Sequence, residues 1–162
     1  GKMDLSAIGA LGQSVGGAVT GELCQQDLRV KAGINLDCFQ FGTTIDNPMK
    51  QPFMLVQSDY NPKWNLGNTI NFKNTISDFS FLSFPNASHF LFSDGAVMPY
   101  QSTDLKNSMV GKIDGAEALV QLNDYLVDFF DLYLKRNEPK LITKPLETPI
   151  LKYELKKGIN NP

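Results

Sequence analysis

The segment Ile8-Gly-Ala-Leu-Gly-Gln-Ser-Val-Gly-Gly17 decides how this chain is interpreted, because it contains the pattern G-x-S-x-G with Ser14 at its centre. A short apolar run, residues 7–11, precedes the pattern, and small or helix-compatible residues follow it. This order predicts a strand, a sharp turn and a helix, a context in which a serine side chain projects from the sheet as a nucleophile. We expect glycine at Gly12 and Gly16 because a Cβ at either position would crowd the strand or the helix.

Two other interpretations of this motif stay open at the level of sequence. One is a chance match, since G-x-S-x-G alone is a common pattern. The other is a phosphate-binding loop, because glycine-rich turns between a strand and a helix also hold nucleotides. The sequence lacks both G-K-[ST] and G-x-G-x-x-G, so the phosphate-binding interpretation has little support.

The length and composition indicate one globular domain with a substantial core. The chain has 162 residues, of which 42% are hydrophobic and 20% charged, and its formal net charge is -2. This charge argues against a nucleic-acid partner, and no apolar run approaches the ~18 residues of a membrane span. We expect no signal peptide within this chain. A signal segment upstream of Gly1 would direct the protein to the periplasm or out of the cell.

Two cysteines and one histidine limit the metal and redox chemistry of the chain. Cys24 and Cys38 neither require nor exclude a disulfide, and we expect two buried free thiols. With a single histidine and no cysteine spacing typical of zinc ligands, the sequence predicts neither a metal site nor a cofactor.

Short apolar runs alternate with helical patterns along the rest of the chain. The patterns predict strands at 32–36, 53–57 and 79–84, and helices at 66–75 and 115–136. We expect residues 96–114 to form a loop and the proline-containing tail from Lys140 to form an irregular surface arm. The alternation as a whole predicts an α/β fold with a mostly parallel sheet flanked by helices.

Three reactive side chains follow strands of this predicted sheet, at the edge where functional residues of parallel α/β sheets collect. Ser14 follows the first strand, Asp37 the second and His89 the last. A serine hydroxyl needs a base to take its proton, and a histidine oriented by a carboxylate performs this role. His89 is the only histidine, so no other residue competes with it as base. Asp59 is a rival acid because it also follows a strand.

The motifs resemble those of the α/β-hydrolases, most closely the branch of lipases and platelet-activating-factor acetylhydrolases with its bacterial relatives. The segments that carry the resemblance are Gly12-Gln-Ser-Val-Gly-Gly17, Gly33-Ile-Asn-Leu-Asp37, Ser58-Asp59 and the aromatic-rich His89-Phe-Leu-Phe-Ser-Asp94. The resemblance covers most of residues 4–136 and implies a triad of Ser14, Asp37 and His89. Hydrolases of the cutinase and dienelactone-hydrolase type place the acid where Asp59 lies, so Asp59 stays an alternative.

The resemblance also implies more strands than this sequence contains. Family members have several strands before the strand that leads into the G-x-S-x-G turn. In this sequence that strand begins almost at residue 4. We therefore assign 1–138 to the C-terminal half of an α/β-hydrolase catalytic domain and 139–162 to an extended C-terminal arm. The absent part would normally supply one oxyanion-hole amide, and the other is the amide of Val15. We expect a second copy, as a homodimer, or a partner chain to cover the exposed edge at 7–11.

These features predict a serine esterase without a cofactor that acts on lipid, short acyl or aryl esters. Phe39, Phe41 and Phe90 are candidates for the walls of its substrate pocket, with core packing as the alternative role. A different class of function stays open, in which a truncated or degenerate half-hydrolase serves as a non-catalytic binding or assembly module. A flavodoxin-like binding domain is a third possibility, against which the missing phosphate loop counts.

Overall fold

The computed structural model describes residues 3–59, 66–146 and 148–159. In this part of the chain, five strands form a single sheet in the order β1-β2-β3-β4-β5. The strands are β1 (Ile8–Gln13), β2 (Val30–Leu36), β3 (Phe53–Ser58), β4 (Phe79–Phe84) and β5 (Lys152–Lys156). The first four strands are parallel and β5 is antiparallel to β4, which confirms the predicted α/β fold with a mostly parallel sheet.

Helices connect the parallel strands and cover both faces of the sheet. They are α1 (Val15–Gln26), α2 (Thr43–Asp46), α3 (Leu66–Asn74), α4 (Thr103–Met109) and α5 (Gly115–Lys135). Two 3₁₀ helices, His89–Phe92 and Asp94–Val97, lie between β4 and α4. No helix in the described residues is long and apolar enough to cross a membrane.

Side chains on the two faces of the sheet belong to two hydrophobic clusters. The cluster on one face joins strand residues to α5 and includes Ile34, Met54, Leu82 and Phe129. The other cluster joins the opposite strand faces to α1 and includes Cys24, Phe53, Leu55 and Phe79. Strands that are buried on both faces read as continuous apolar runs, which is why β2 and β3 were recognisable in the sequence.

The expectation of a loop over residues 96–114 was wrong. This segment holds α4, whose first turn is capped by Ser102, since the amide of Leu105 donates to the Ser102 hydroxyl at 3.2 Å. The helix has seven mostly polar residues and buries none of them completely. It therefore leaves no apolar periodicity in the sequence, and only its N-cap could have indicated it.

The tail from Lys140 is not the irregular surface arm that its prolines suggested. Ile142 and Leu151 are buried in the core, and β5 adds a fifth strand beside β4. The buried carboxylate of Asp128 in α5 accepts hydrogen bonds of 2.7–3.1 Å from the amides of Lys140, Leu141 and Ile142. These bonds fix the start of the tail, and pairing with β4 fixes residues 152–156.

Strand β1 lies at one edge of the described sheet, next to β2 alone. Leu11 of β1 and Val15, Val19 and Leu23 of α1 are among the exposed large hydrophobic residues. The three α1 residues recur every four positions, so they form one continuous apolar stripe along the helix. We refer to these three α1 residues together with the free edge of β1 as the β1 edge surface.

Candidate active site

Ser14 occupies a sharp turn between β1 and α1. Its backbone has φ 55° and ψ −133°, a conformation that non-glycine residues rarely adopt. Its amide donates a hydrogen bond of 2.8 Å to the carbonyl oxygen of Leu36, which holds the turn beside the end of β2. The turn therefore has the strand–turn–helix geometry that the sequence motif predicted.

The three glycines around Ser14 differ in how much room the structure leaves for a side chain. A Cβ on Gly12 would lie 2.1 Å from the carbonyl oxygen of Gly16, so the tight turn excludes any side chain there. A Cβ on Gly17 would lie 2.1 Å from Oδ1 of Asn35, so Gly17 allows α1 to approach β2. A Cβ on Gly16 would meet no atom within 4 Å. The expectation that a side chain at Gly16 would crowd the strand or the helix was wrong.

Asp37 and His89 are in direct contact although 52 residues separate them in the chain. Nδ1 of His89 lies 2.7 Å from Oδ2 of Asp37. The side chain of Asp37 is 10% exposed and that of His89 is 29% exposed, so one end of the imidazole reaches solvent. A carboxylate at this distance fixes a proton on Nδ1 and leaves Nε2 as the acceptor, which is the tautomer that a general base requires.

Asp37 is held in place by both its backbone and its carboxylate. Its backbone has φ 58°, in the left-handed region, and its amide donates to the carbonyl oxygen of Val56 at 2.8 Å. Oδ1 of its carboxylate accepts the amide of Ser58 at 2.7 Å. The Ser58 hydroxyl lies 3.0 Å from Oδ1 and 2.9 Å from Oδ2. From the sequence, Ser58 was noted only as part of the segment Ser58-Asp59 that resembles the family, and no role was assigned to it.

Asp59, the rival acid, makes a different contact. Oδ2 of Asp59 accepts a hydrogen bond of 2.6 Å from the amide of Asn86, which itself has φ 62°. Asp59 is exposed, and its carboxylate stabilises the turn that follows β4. The structure therefore brings Asp37 to the imidazole and directs the carboxylate of Asp59 to a backbone amide.

Ser14 and His89 are linked through the residue before the serine. Nε2 of Gln13 lies 3.4 Å from the carbonyl oxygen of His89, at the outer limit of a hydrogen bond. In the described residues, the Ser14 hydroxyl makes no hydrogen bond to the imidazole. Such bonds are often long in proteins without a bound substrate and shorten in the reacting complex. Sequence reasoning missed Gln13, because nothing in its local pattern indicates this long-range contact.

The amide of Val15 lies at the N-terminus of α1, directly after Ser14. No side chain of the cap residue bonds to the first turn of this helix. The first amides of a helix have no partner within the helix and point toward its N-terminal end, where they attract negative charge. The amide of Val15 therefore lies at the end of α1 that attracts negative charge, directly beside Ser14.

Phe39, Phe41 and Phe90 are exposed rather than packed in the core, at 38%, 41% and 44%. The rings of Phe39 and Phe41 lie 5.5 Å apart, and the ring of Phe90 lies 5.6 Å from the imidazole of His89. The intervening residue Gln40 is buried and donates to the carbonyl oxygen of Gly17. The segment after Asp37 therefore turns alternate side chains toward α1 and presents its two aromatic rings on the surface.

Both cysteines are free thiols, as expected, but only Cys24 is buried. Burial raises the pKa of Cys24 to about 12. Cys38 is half-buried directly after Asp37, and burial also raises the pKa of its thiol. Within the described ranges, no group of three or more His, Cys, Asp or Glu side chains is placed to hold a metal ion.

The parallel sheet, the turn at Ser14 and the contact between Asp37 and His89 together point to the esterases of α/β-hydrolase type. Two comparisons with known proteins found similar proteins of this kind, although no protein-family model matches the chain. The chain is 26% identical over 137 residues to a platelet-activating factor acetylhydrolase from Cavia porcellus. It shares its fold with a ferulic acid esterase from Streptomyces cinnamoneus, at a TM-score of 0.81 and 24% identity.

The chain corresponds to only part of each of these proteins. The match to the acetylhydrolase covers 83% of this chain and 31% of that protein. The match to the ferulic acid esterase covers 94% of this chain and 48% of that structure. The shared fold is thus partial.

Proposed function

We propose that this chain carries the catalytic residues of a serine hydrolase that cleaves carboxylic esters. The observation that carries the proposal is the 2.7 Å contact between Nδ1 of His89 and Oδ2 of Asp37, at the sheet edge where Ser14 occupies its strained turn. The two related proteins are an acetylhydrolase and an esterase, and both names describe hydrolysis of this general kind.

In the proposed mechanism, Nε2 of His89 takes the proton of the Ser14 hydroxyl as the oxygen attacks the acyl carbon of the ester. Asp37 stays ionised and stabilises the imidazolium that forms. The imidazolium then gives its proton to the leaving alcohol, and an acyl-enzyme remains on Ser14. A water molecule, deprotonated by His89, releases the acid and restores the serine.

The amide of Val15 supports the proposal because negative charge develops on the acyl oxygen during both steps. We assign this amide as one donor of the oxyanion hole, aided by the N-terminus of α1. An oxyanion hole needs a second donor, and removal of one donor costs about 10²–10³-fold in rate. We therefore expect the chain by itself to be a slow esterase unless a further segment supplies this donor.

For the substrate, we propose an ester with an apolar acyl or aryl group, such as a lipid, short acyl or aryl ester. Phe39 and Phe41 lie two and four residues after Asp37, and Phe90 directly follows His89. The ring of Phe90 lies 5.6 Å from the imidazole, and the exposed rings offer apolar surface that suits the non-polar part of such an ester. No cofactor is required for this reaction.

The proposal is tested with p-nitrophenyl esters of rising acyl length. Wild-type chain should release p-nitrophenol faster than the Ser14→Ala variant for at least one chain length. Ser88→Ala is a matched control because it removes a hydroxyl next to His89 that caps no helix. Equal rates for wild type and Ser14→Ala at every chain length would refute the proposed function.

A second candidate function, a binding or assembly module without turnover, is favoured by the β1 edge surface. An unpaired strand edge and a continuous apolar stripe both favour association with another polypeptide. We propose a second copy of the chain as the occupant, because a two-fold axis would bury the same stripe from both molecules. The exposed residues of α1 are Val15, Gly16, Val19, Leu23 and Gln26, which carry no charge that would oppose such pairing.

Light scattering during size-exclusion chromatography tests this association. We expect twice the mass of one chain at micromolar concentration, and a monomer for Val19→Glu. The control Leu105→Glu changes an equally apolar exposed residue on α4 and should leave the dimer intact. A wild-type chain that elutes only as a monomer would refute the proposed homodimer.

A further inference from the structure

We propose that Ser58 is the positioning residue that orients the Asp37 carboxylate toward His89, an inference that rests on the proposed esterase function. Ser58 is the last residue of β3, next to the strand that Asp37 follows. It is 5% exposed and contacts the carboxylate through both its amide and its hydroxyl. No substrate atom needs to touch it for this role.

The carboxylate plane of an aspartate is weakly fixed by its own torsion angle. Rotation about the terminal sp³–sp² bond has broad, roughly two-fold preferences, so neighbouring donors must set the plane. The Ser58 amide holds Oδ1 of Asp37 at 2.7 Å, which leaves Oδ2 directed at the imidazole. One residue thus determines which oxygen His89 meets.

The Ser58 hydroxyl adds a restraint that the amide cannot supply. It lies at nearly equal distances from the two carboxylate oxygens, 3.0 Å and 2.9 Å, so it contacts both of them. Since an ionised carboxylate only accepts hydrogen bonds, the hydroxyl must donate to it. With the hydroxyl removed, the Ser58 amide and the His89 imidazole hold one oxygen each, and the donor that restrained both oxygens together is lost.

The burial of this cluster makes the missing donor hard to replace. The side chain of Asp37 is 10% exposed, and that of Ser58 lies deeper, so bulk water has little access to the space left by the hydroxyl. The loss of a hydrogen bond to a charged, poorly solvated group is among the larger local effects of a single substitution. We expect this loss to appear as misorientation of His89.

The single histidine of the chain gives a direct readout of this orientation. Protein labelled with ¹⁵N-histidine yields one imidazole, whose two nitrogen shifts distinguish the two neutral tautomers from the imidazolium when they are followed across a pH series. Wild-type protein should show the proton on Nδ1 alone. Ser58→Ala should show a mixture of the Nδ1 and Nε2 tautomers.

Ser80→Ala is the matched control for loss of a buried serine hydroxyl. Ser80 is fully buried in β4 and lies 2.9 Å from the Tyr153 hydroxyl. It precedes Phe84, the β4 residue level with Ser58, by four positions, or about 13 Å along the strand. Ser80→Ala should keep the wild-type histidine spectrum, which separates a positioning effect from a general loss of stability.

Ester hydrolysis supplies a second readout. Ser58→Ala should lower kcat about 10–100-fold with KM nearly unchanged, because a misplaced acid slows the reaction without removing a substrate contact. In an Asp37→Asn background the same substitution should cost less than twofold, because its effect acts through Asp37.

The histidine spectrum decides the proposal, whatever the esterase assays show. A Ser58→Ala spectrum identical to that of wild type overturns the role of Ser58 and leaves the proposed function standing. A shifted spectrum in a chain without esterase activity supports the role of Ser58 and counts against the proposed function.

Discussion

The amide of Ser14 donates a hydrogen bond of 2.8 Å to the carbonyl oxygen of Leu36, the residue immediately before Asp37. This bond aligns the ends of β1 and β2, so that the proposed nucleophile and the proposed acid leave the sheet at the same level. His89 then approaches from beyond β4 and meets the carboxylate. The candidate triad is therefore assembled by strand register as well as by side-chain contacts.

Ser14→Ala should lower ester hydrolysis by 10³-fold or more, because the members of a triad act as a unit. The free energy of unfolding should change little, since the Ser14 hydroxyl makes no hydrogen bond in the described residues. Steady-state kinetics and urea denaturation of the same sample measure the two effects. A rate that survives at the wild-type level would exclude Ser14 as the nucleophile.

Asp37→Asn should lower the hydrolysis rate by about 10³–10⁴-fold, because an amide in place of the carboxylate favours the wrong imidazole tautomer. Asp59→Asn is the matched control. Its amide oxygen can still accept the bond from the Asn86 amide, so the rate should stay within a few-fold of wild type. If the two variants lose activity equally, or if Asp59→Asn loses more, the assignment of the acid to Asp37 fails.

Gly12→Ala and Gly16→Ala should have opposite effects on stability. Gly12→Ala places a Cβ against the Gly16 carbonyl and should disrupt the turn and the activity together. Gly16 lies in the first turn of α1 with open space around it, so alanine there should stabilise the protein by about 0.5–1 kcal/mol. Urea denaturation of both variants checks this order. Two equally destabilised variants would contradict the turn geometry described here.

Asp128→Ala should destabilise the protein by about 3 kcal/mol, because it leaves the amides of three tail residues without their acceptor in a buried site. Asp124→Ala on the exposed side of the same helix is the control and should change stability by less than ~0.5 kcal/mol. Denaturant unfolding compares the two. Similar stabilities would show that the tail contributes little to the fold.

The sequence predicted those parts of the molecule that depend on local pattern. Apolar runs indicated β2 and β3, the helical period indicated α5 to within one residue of its observed end, and Gly12-Gln-Ser-Val-Gly-Gly17 indicated the turn. The failures were β5 and α4. Lys-Tyr-Glu-Leu-Lys156 alternates charged and apolar residues next to prolines, and only its pairing with β4 makes it a strand.

For the candidate site, the sequence predicted that Ser14, Asp37 and His89 each follow a strand at the same edge of the sheet. Position after a strand did not decide between Asp37 and Asp59, but the resemblance of Gly33-Ile-Asn-Leu-Asp37 favoured Asp37, and the contact with His89 agrees with it. What differs is which carboxylate the His89 segment reaches, and that depends on the path of the chain after β4. The role of Ser58 was hidden for the same reason, since its partner lies 21 residues away.

The most direct test of the central claim is covalent labelling of the chain with a fluorophosphonate, followed by intact-mass measurement and peptide mapping. A serine activated by His89 and Asp37 should take up one adduct per chain, at Ser14, in the wild-type protein. The Ser14→Ala variant should take up none, and His89→Ala should react much more slowly. A chain that stays unlabelled at Ser14 under excess probe, or labels equally well in the His89→Ala variant, would contradict the account.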